Sequence, residues 1–164
     1  MKLNKEYKFD NFEINQGNKL AFNLSLTVAK QPGKKYLPFF ISGNKKDRVH
    51  LMSAIANYIA EQFNYNIGYA NGNDISKITK DIDVLIIDEL ECLPNSEEPE
   101  LLEIIKVLQS NNKQIVLGSA KTLEELNNIS DKLKNIISWG MAINIESNNN
   151  KTNNTKIPDY NWLE

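Results

Sequence analysis

A single cysteine, Cys92, and a single histidine, His50, stand in the whole chain of 164 residues. One cysteine rules out an internal disulfide and any zinc site made of several thiolates, so Cys92 is expected to pack near the end of a strand. One histidine at the head of an apolar helix is expected to cap or to pack, because a proton relay or a metal site needs partners. Positive charge is not in excess either: 19 Lys and Arg against 21 Asp and Glu leave a formal charge of -2. That balance lacks the basic footprint of most nucleic-acid binders, and direct DNA binding is not expected. No apolar run approaches the roughly 20 residues of a membrane span. The start, Met1 to Phe9, is polar and charged where a signal peptide would be apolar. The expectation is a cytoplasmic protein without a membrane partner.

What is present suits one globular domain: 41% of residues are hydrophobic and 24% charged, at a length that buries a real core. Leu20, Leu24, Leu26, Val28 and Ala29 predict a helix from Asn18 to the stop at Gln31-Pro32-Gly33. Tyr36 to Ile41 reads as a strand buried on both faces. A loop from Gly43 to Arg48 then leads into a helix over 49–63, with Leu51, Ile55, Ile59 and Phe63 in steps of four. A weak strand, Asn66 to Ala70, and a polar stretch to Lys80 with at most one helical turn come next. Ile82 to Ile87 is a strong strand, and Leu101, Leu102, Ile105 and Leu108 mark a helix running to Ser110. Gln114 to Leu117 is a further strand, Thr122 to Leu126 and Ser130 to Ile137 read as helical, and Met141 to Ile145 closes as a strand. Five strands alternating with helices predict an α/β fold with a parallel sheet covered on both faces. Residues 1–146 form this core. Residues 147–164 read as an Asn-rich flexible tail whose Tyr160, Trp162 and Leu163 either fold back or form a docking peptide.

The turn after the first strand is where a phosphate-binding G-x-x-x-x-G-K-[ST] loop would stand, since its glycines free backbone N–H groups to wrap phosphates. The residues there are Gly43-Asn44-Lys45-Lys46-Asp47-Arg48-Val49-His50, without the second glycine, the Lys or the Ser/Thr in place. Lys45, Lys46 and Arg48 offer an anion some attraction at a helix start, against the repulsion of Asp47. A plain basic surface loop is the favoured reading. By contrast Asp83-Val84-Leu85-Ile86-Ile87-Asp88-Glu89 matches the Walker B pattern, whose first acid orients magnesium and whose second polarises water. The same two acids at a strand end also fit a role as caps of the next turn.

From about Tyr7 to Glu146 the chain resembles the AAA+ domain of the bacterial replication initiator DnaA and its shortened relative Hda. The resemblance rests on Tyr7-Lys8-Phe9-Asp10-Asn11-Phe12 with Asn18-Lys19-Leu20-Ala21, on Pro32 to Ile41, on Ala56-Asn57-Tyr58-Ile59, on the Walker B strand, on Lys113 to Leu117 and on Trp139-Gly140-Met141. It implies a P-loop NTPase fold of AAA+ type, a three-layer sandwich on a five-stranded parallel sheet. The segment holding Phe9 and Asn11 would line an adenine pocket. The family's sensor 1 position falls on Ala120, and Lys132, Lys134 and Ile136 stand where it places arginines. Lysine cannot imitate a bidentate arginine and isoleucine carries no charge. The stretch from Tyr58 to Asp83 is shorter than in the initiator, where extra helical structure meets single-stranded DNA, and neither helical lid nor helix-turn-helix domain is expected.

Loss of phosphate cradle, metal ligand, sensor and finger together removes what phosphoryl transfer depends on. The expectation is therefore not an enzyme but a non-catalytic regulator of replication initiation, partnered by DnaA or another AAA+ replication protein, with no catalytic residue and no cofactor. The alternative is a residual ATP/ADP-binding switch without hydrolysis. Its remnant site would comprise Phe9, Asn11, Gly43, Asn44, Lys45, Arg48, Asp88 and Glu89, with Asp88 the metal contact if any.

Overall fold

The computed structural model describes residues 3–79 and 81–146; the expected tail, 147–164, lies outside them. Five strands form one sheet: β1 (Phe39–Ser42), β2 (Ile67–Asn71), β3 (Val84–Asp88), β4 (Gln114–Ser119) and β5 (Met141–Asn144). They lie in the order β2-β3-β4-β1-β5, and every neighbouring pair is parallel. The inner strands β1, β3 and β4 are buried at every position, which is why their sequences run apolar without alternation.

Alternate side chains of those strands feed two cores. Phe39, Ile41, Val84, Ile86 and Val116 meet α1 (Lys19–Lys30) and α2 (Lys45–Gln62) on one face. Phe40, Leu85, Ile87, Ile115 and Leu117 meet α3 (Glu98–Ser110) and α4 (Asp131–Ile137) on the other. The three-layer sandwich with a five-stranded parallel sheet is as the sequence predicts, and no lid lies among the described residues. α2 is covered on its outer side as well. Ser53 Oγ accepts the Asn4 N–H at 3.1 Å, and Asn57 Nδ2 donates to the Asn4 and Tyr7 carbonyls at 3.0 and 2.8 Å. The N-terminal segment is thus tied across it.

Several expectations are corrected. The first strand begins at Phe39, because Tyr36 adopts φ 58° and so does not continue an extended ladder. Thr122 to Leu126 forms a turn and no helix. Glu125 Oε1 accepts the Thr122 N–H at 2.9 Å while the Glu125 N–H reaches the Thr122 carbonyl, and Asn127 and Asn128 follow where a helix would need strong formers. Cys92 is exposed in the 3-10 turn Leu90–Cys92 and does not pack. His50 does pack: its ring stacks on Tyr7 at 4.5 Å between centroids and meets the edge of Phe12 at 5.0 Å.

Candidate functional site

In open α/β sheets, ligands gather beyond the carboxyl ends of the strands. Here the ends of β1, β4 and β3 lie side by side and present Ser42, Ser119 and Asp88. Between Ser42 and the first residue of α2 stand only Gly43 and Asn44. The expected loop from Gly43 to Arg48 is therefore corrected: α2 starts four residues earlier than the apolar spacing implies. Asn44 is its N-cap, with extended backbone (φ -62°, ψ 147°) and Oδ1 accepting the Asp47 N–H at 2.8 Å. Lys45 and Lys46 sit exposed in the first turn.

Arg48 is the one arginine of the sequence, and the expectation of a basic surface loop fails most clearly on it. Its side chain is 2% exposed and lies over the sheet end. Nε donates to Asp88 Oδ1 at 2.7 Å, Nη2 reaches Oδ2 at 3.4 Å, and Nη1 donates to the Gly43 carbonyl at 2.7 Å. Asp88 is equally buried, at 1%. A paired, planar guanidinium suits such a position because it satisfies both carboxylate oxygens and one carbonyl at once. Gly43 has its N–H on the Ser119 carbonyl at 3.1 Å, so both of its backbone polar groups are engaged. Its φ of +133° and the approach of Ile145, whose Cβ would lie 2.7 Å from an added Cβ, restrict the position to glycine. Gly118 in β4 leaves the space that Asp88 fills, since a Cβ there would lie 2.5 Å from Asp88 Oδ1 and 2.7 Å from the Met52 sulfur.

Around this pair several further polar groups are tied to one another. Asp47 Oδ2 accepts from Asn18 Nδ2 at 3.1 Å and Asn44 Nδ2 at 3.4 Å, fixing a carboxylate at the N-terminus of α2. Glu89 is held in the left-handed region (φ 55°, ψ 47°), and its Oε2 lies 4.0 Å from Lys45 Nζ. Glu91 Oε1 accepts the Ala120 N–H at 3.1 Å, so the backbone after β4 is tied to the turn after β3. On β2, burial first and the charges of Asp88, Glu89 and Asp74 after it push the Tyr69 phenol well above the usual tyrosine range. Among the described residues, no group of three or more His, Cys, Asp or Glu side chains is placed to hold a metal ion.

Gly43, Asn44, Lys45, Arg48, Asp88 and Glu89 of the expected remnant site are thus gathered at one place. Phe9 and Asn11 belong to another set of contacts. Phe9 packs edge-on against Phe22 and Tyr58, and Asn11 Oδ1 lies 3.0 Å from His50 Nε2. Gly118 was not singled out by sequence, and Asp47 and Asn18 were read there only as a repelling charge and as a helix start, not as partners of each other. The pair Asn44 and Asp47, an N-cap with an acid three residues on, was the available signal for the early helix start. Ile136 is buried in the core, while Lys132 is exposed on α4.

The chain matches the model of the bacterial DnaA ATPase domain over residues 3–78 and 65–144. It is 33% identical over 186 aligned positions to the chromosomal replication initiator protein DnaA of Streptococcus mutans, covering 98% of this chain and 41% of that protein. Domain III of the Thermotoga maritima DnaA superposes with a TM-score of 0.79 at 28% identity, over 89% of this chain and 69% of that one. A replication initiator DnaA bound to AMPPCP and single-stranded DNA superposes with a TM-score of 0.82 at 26% identity, over 90% of this chain and 52% of that one. The chain spans less than half the length of the curated relatives it matches. With the parallel sheet, its strand order and the acid at the end of β3 on the same ground, the chain belongs to the bacterial DnaA ATPase-domain family.

Proposed function

We propose that this domain serves replication initiation through protein contacts and neither hydrolyses ATP nor responds to it. The observation that supports this is the Arg48 guanidinium lying on Asp88 and on the Gly43 carbonyl. A magnesium triphosphate asks of this place free backbone N–H groups, a lysine, a hydroxyl and an ionised acid open to the metal. The residues present do not fit that group. The Gly43 N–H is engaged, Asp88 faces a cation of its own chain, and Asp47 sets a negative charge at the helix start where phosphate would come. Ala120 brings no side-chain donor. The domain keeps the sheet and both cores, and that retention supports a regulator or adaptor acting on DnaA or another AAA+ replication protein in the cytoplasm. Direct DNA contact is not part of this reading, given the formal charge of -2. Among the described residues no helix is long and apolar enough to cross a membrane.

Two measurements test the reading. Calorimetric titration with ATP and with ADP, each with magnesium, is expected to give no binding heat and no rise in melting temperature at millimolar ligand. Saturable binding would favour the alternative, a residual nucleotide switch. A pull-down with the cognate initiator is expected to retain this domain with and without ATP, and failure under both conditions would remove the adaptor role.

A further inference from the structure

α2 meets the sheet on one side and a further layer of chain on the other. Its inner side is apolar, with Leu51, Ile55 and Ile59 fully buried in the core. On the opposite side His50, Ser53, Asn57 and Glu61 follow one another at helical steps of three and four, so they line one polar stripe. That stripe holds residues 3–8. Ser53 Oγ accepts the Asn4 N–H, Asn57 Nδ2 donates to the Asn4 and Tyr7 carbonyls, His50 Nε2 lies 2.8 Å from the Lys8 carbonyl, and Glu61 meets the Lys8 ammonium. The Tyr7 ring stacks on His50. Asn57 is the centre of the arrangement: its two acceptors are the first and last carbonyls of a turn, which the Tyr7 N–H closes onto the Asn4 carbonyl at 3.1 Å.

Among the described residues, no backbone–backbone hydrogen bond joins residues 3–12 to the rest of the domain. Other connecting segments are fastened through the main chain: the Pro38 carbonyl takes the Met141 N–H at 3.1 Å, and the Gly17 carbonyl takes the Glu146 N–H at 2.9 Å. The difference decides what can open alone. Side-chain ties to the outside of a helix are exchanged for water without breaking the helix or the sheet, and a polar stripe tolerates being wetted. Leu3, half-buried against the α1/α2 core, is the one aliphatic side chain among residues 3–8. Just beyond them the chain is anchored by rings. Phe12 is 8% exposed and packs on Phe22 and His50, and Phe9 meets Phe22 and Tyr58.

We propose that residues 3–8 form a strap that opens as one unit, with the Phe9 to Phe12 turn as its pivot, while both cores stay folded. The strap thereby gates the outer side of α2. This inference is independent of whether the domain binds nucleotide. Ser53 is 0% exposed on a side of α2 that faces away from the sheet, and the strap is what covers it. Once the strap opens, the Ser53 hydroxyl, the Asn57 amide and the His50 ring stand free together. These are the groups that bind main-chain N–H and C=O in the closed form.

Native-state amide exchange of the full chain, followed by NMR at low urea concentrations, tests the unit. The Asn4, Tyr7 and Lys8 amides are expected to exchange through one shared opening, more often than the amides of β3 and β4 and with little dependence on urea. Asn57→Ala is expected to speed all three at least about tenfold, since two hydrogen bonds are lost from the closed form alone. Tyr7→Ala, made on the strap so that α2 is untouched, is expected to act in the same direction on all three. Ile86→Val weakens the core of open and closed forms equally. It is expected to speed the β3 and β4 amides at least about twofold and to leave the three strap amides unchanged. Strap amides that quicken with Ile86→Val overturn the proposal, because they then open only when the whole domain does. Three unrelated opening constants also overturn it, because the segment then frays residue by residue. So do strap amides that neither Asn57→Ala nor Tyr7→Ala alters.

Discussion

Two ion pairs stand at opposite ends of β3. At its entrance Asp83 Oδ1 accepts from Lys113 Nζ at 2.9 Å, with both side chains about one third exposed, at 31% and 35%. At its exit Asp88 meets Arg48 at nearly the same distance, 2.7 Å, with exposures of 1% and 2%. Distance does not separate these pairs; water does. At the entrance solvent screens the charges and replaces either partner when it leaves, so the pair adds little. At the exit nothing replaces a missing partner, and the cost of breaking the pair is that of a bare charge in the interior. The first works as surface trim and the second as part of the core.

Removing one partner at the exit should have the largest effect. Arg48→Ala is expected to lose about 3–5 kcal/mol of stability by urea denaturation, because Asp88 stays buried without a counter-charge. The double change Arg48→Met with Asp88→Leu is expected to be distinctly less damaging than Arg48→Ala, and a double variant worse than the single would show that the pair is held by more than charge balance. Gly118→Ala presses a methyl against Asp88 Oδ1 and the Met52 sulfur, with an expected loss of about 1–3 kcal/mol. Away from both pairs, Ser130 caps α4 by accepting the Leu133 N–H at 3.2 Å and donates its hydroxyl to Glu98; Ser130→Ala should cost about 1 kcal/mol in a thermal melt.

The smallest effect belongs to the entrance. Lys113→Ala is expected to cost about 0.2–1 kcal/mol, and less in high salt. The Asn66 N–H first, and then Lys113, hold the Asp83 carboxyl below the usual carboxylate range. A depressed folded-state value means that its contribution is complete above the unfolded value near pH 4 and disappears as pH falls through the folded one. Asp83→Asn should therefore flatten the stability profile slightly below about pH 4 and leave its shape near neutrality unchanged. A change in shape at pH 7 would contradict that sign.

The same contrast explains what could be read from residues alone. Strands buried on both faces leave unbroken apolar runs, so β3 and β4 and the α/β class were visible in Ile82 to Ile87 and Gln114 to Leu117. Asp88 was visible because it ends such a run. Arg48 was named beside it, but its burial and its pairing with Asp88 were not visible, because the first turn of α2 is polar on every side and apolar spacing begins only at Leu51. A helix start written in caps and charges has no apolar period to reveal it, and burial of an arginine is a tertiary fact with no local signature. Thr122 to Leu126 failed in the other direction: Leu123 and Leu126 are buried three apart in a turn that side-chain bonds close before a second helical turn can form.

Because the cation facing Asp88 is carried on α2 by ordinary covalent bonds, it is present once per molecule and never diffuses away. Treatment with a chelator is therefore expected to leave that carboxylate's neutralisation unaltered, as is dilution. The charge balance of the buried acid is inherited with the polypeptide and does not vary with the supply of free ions around it.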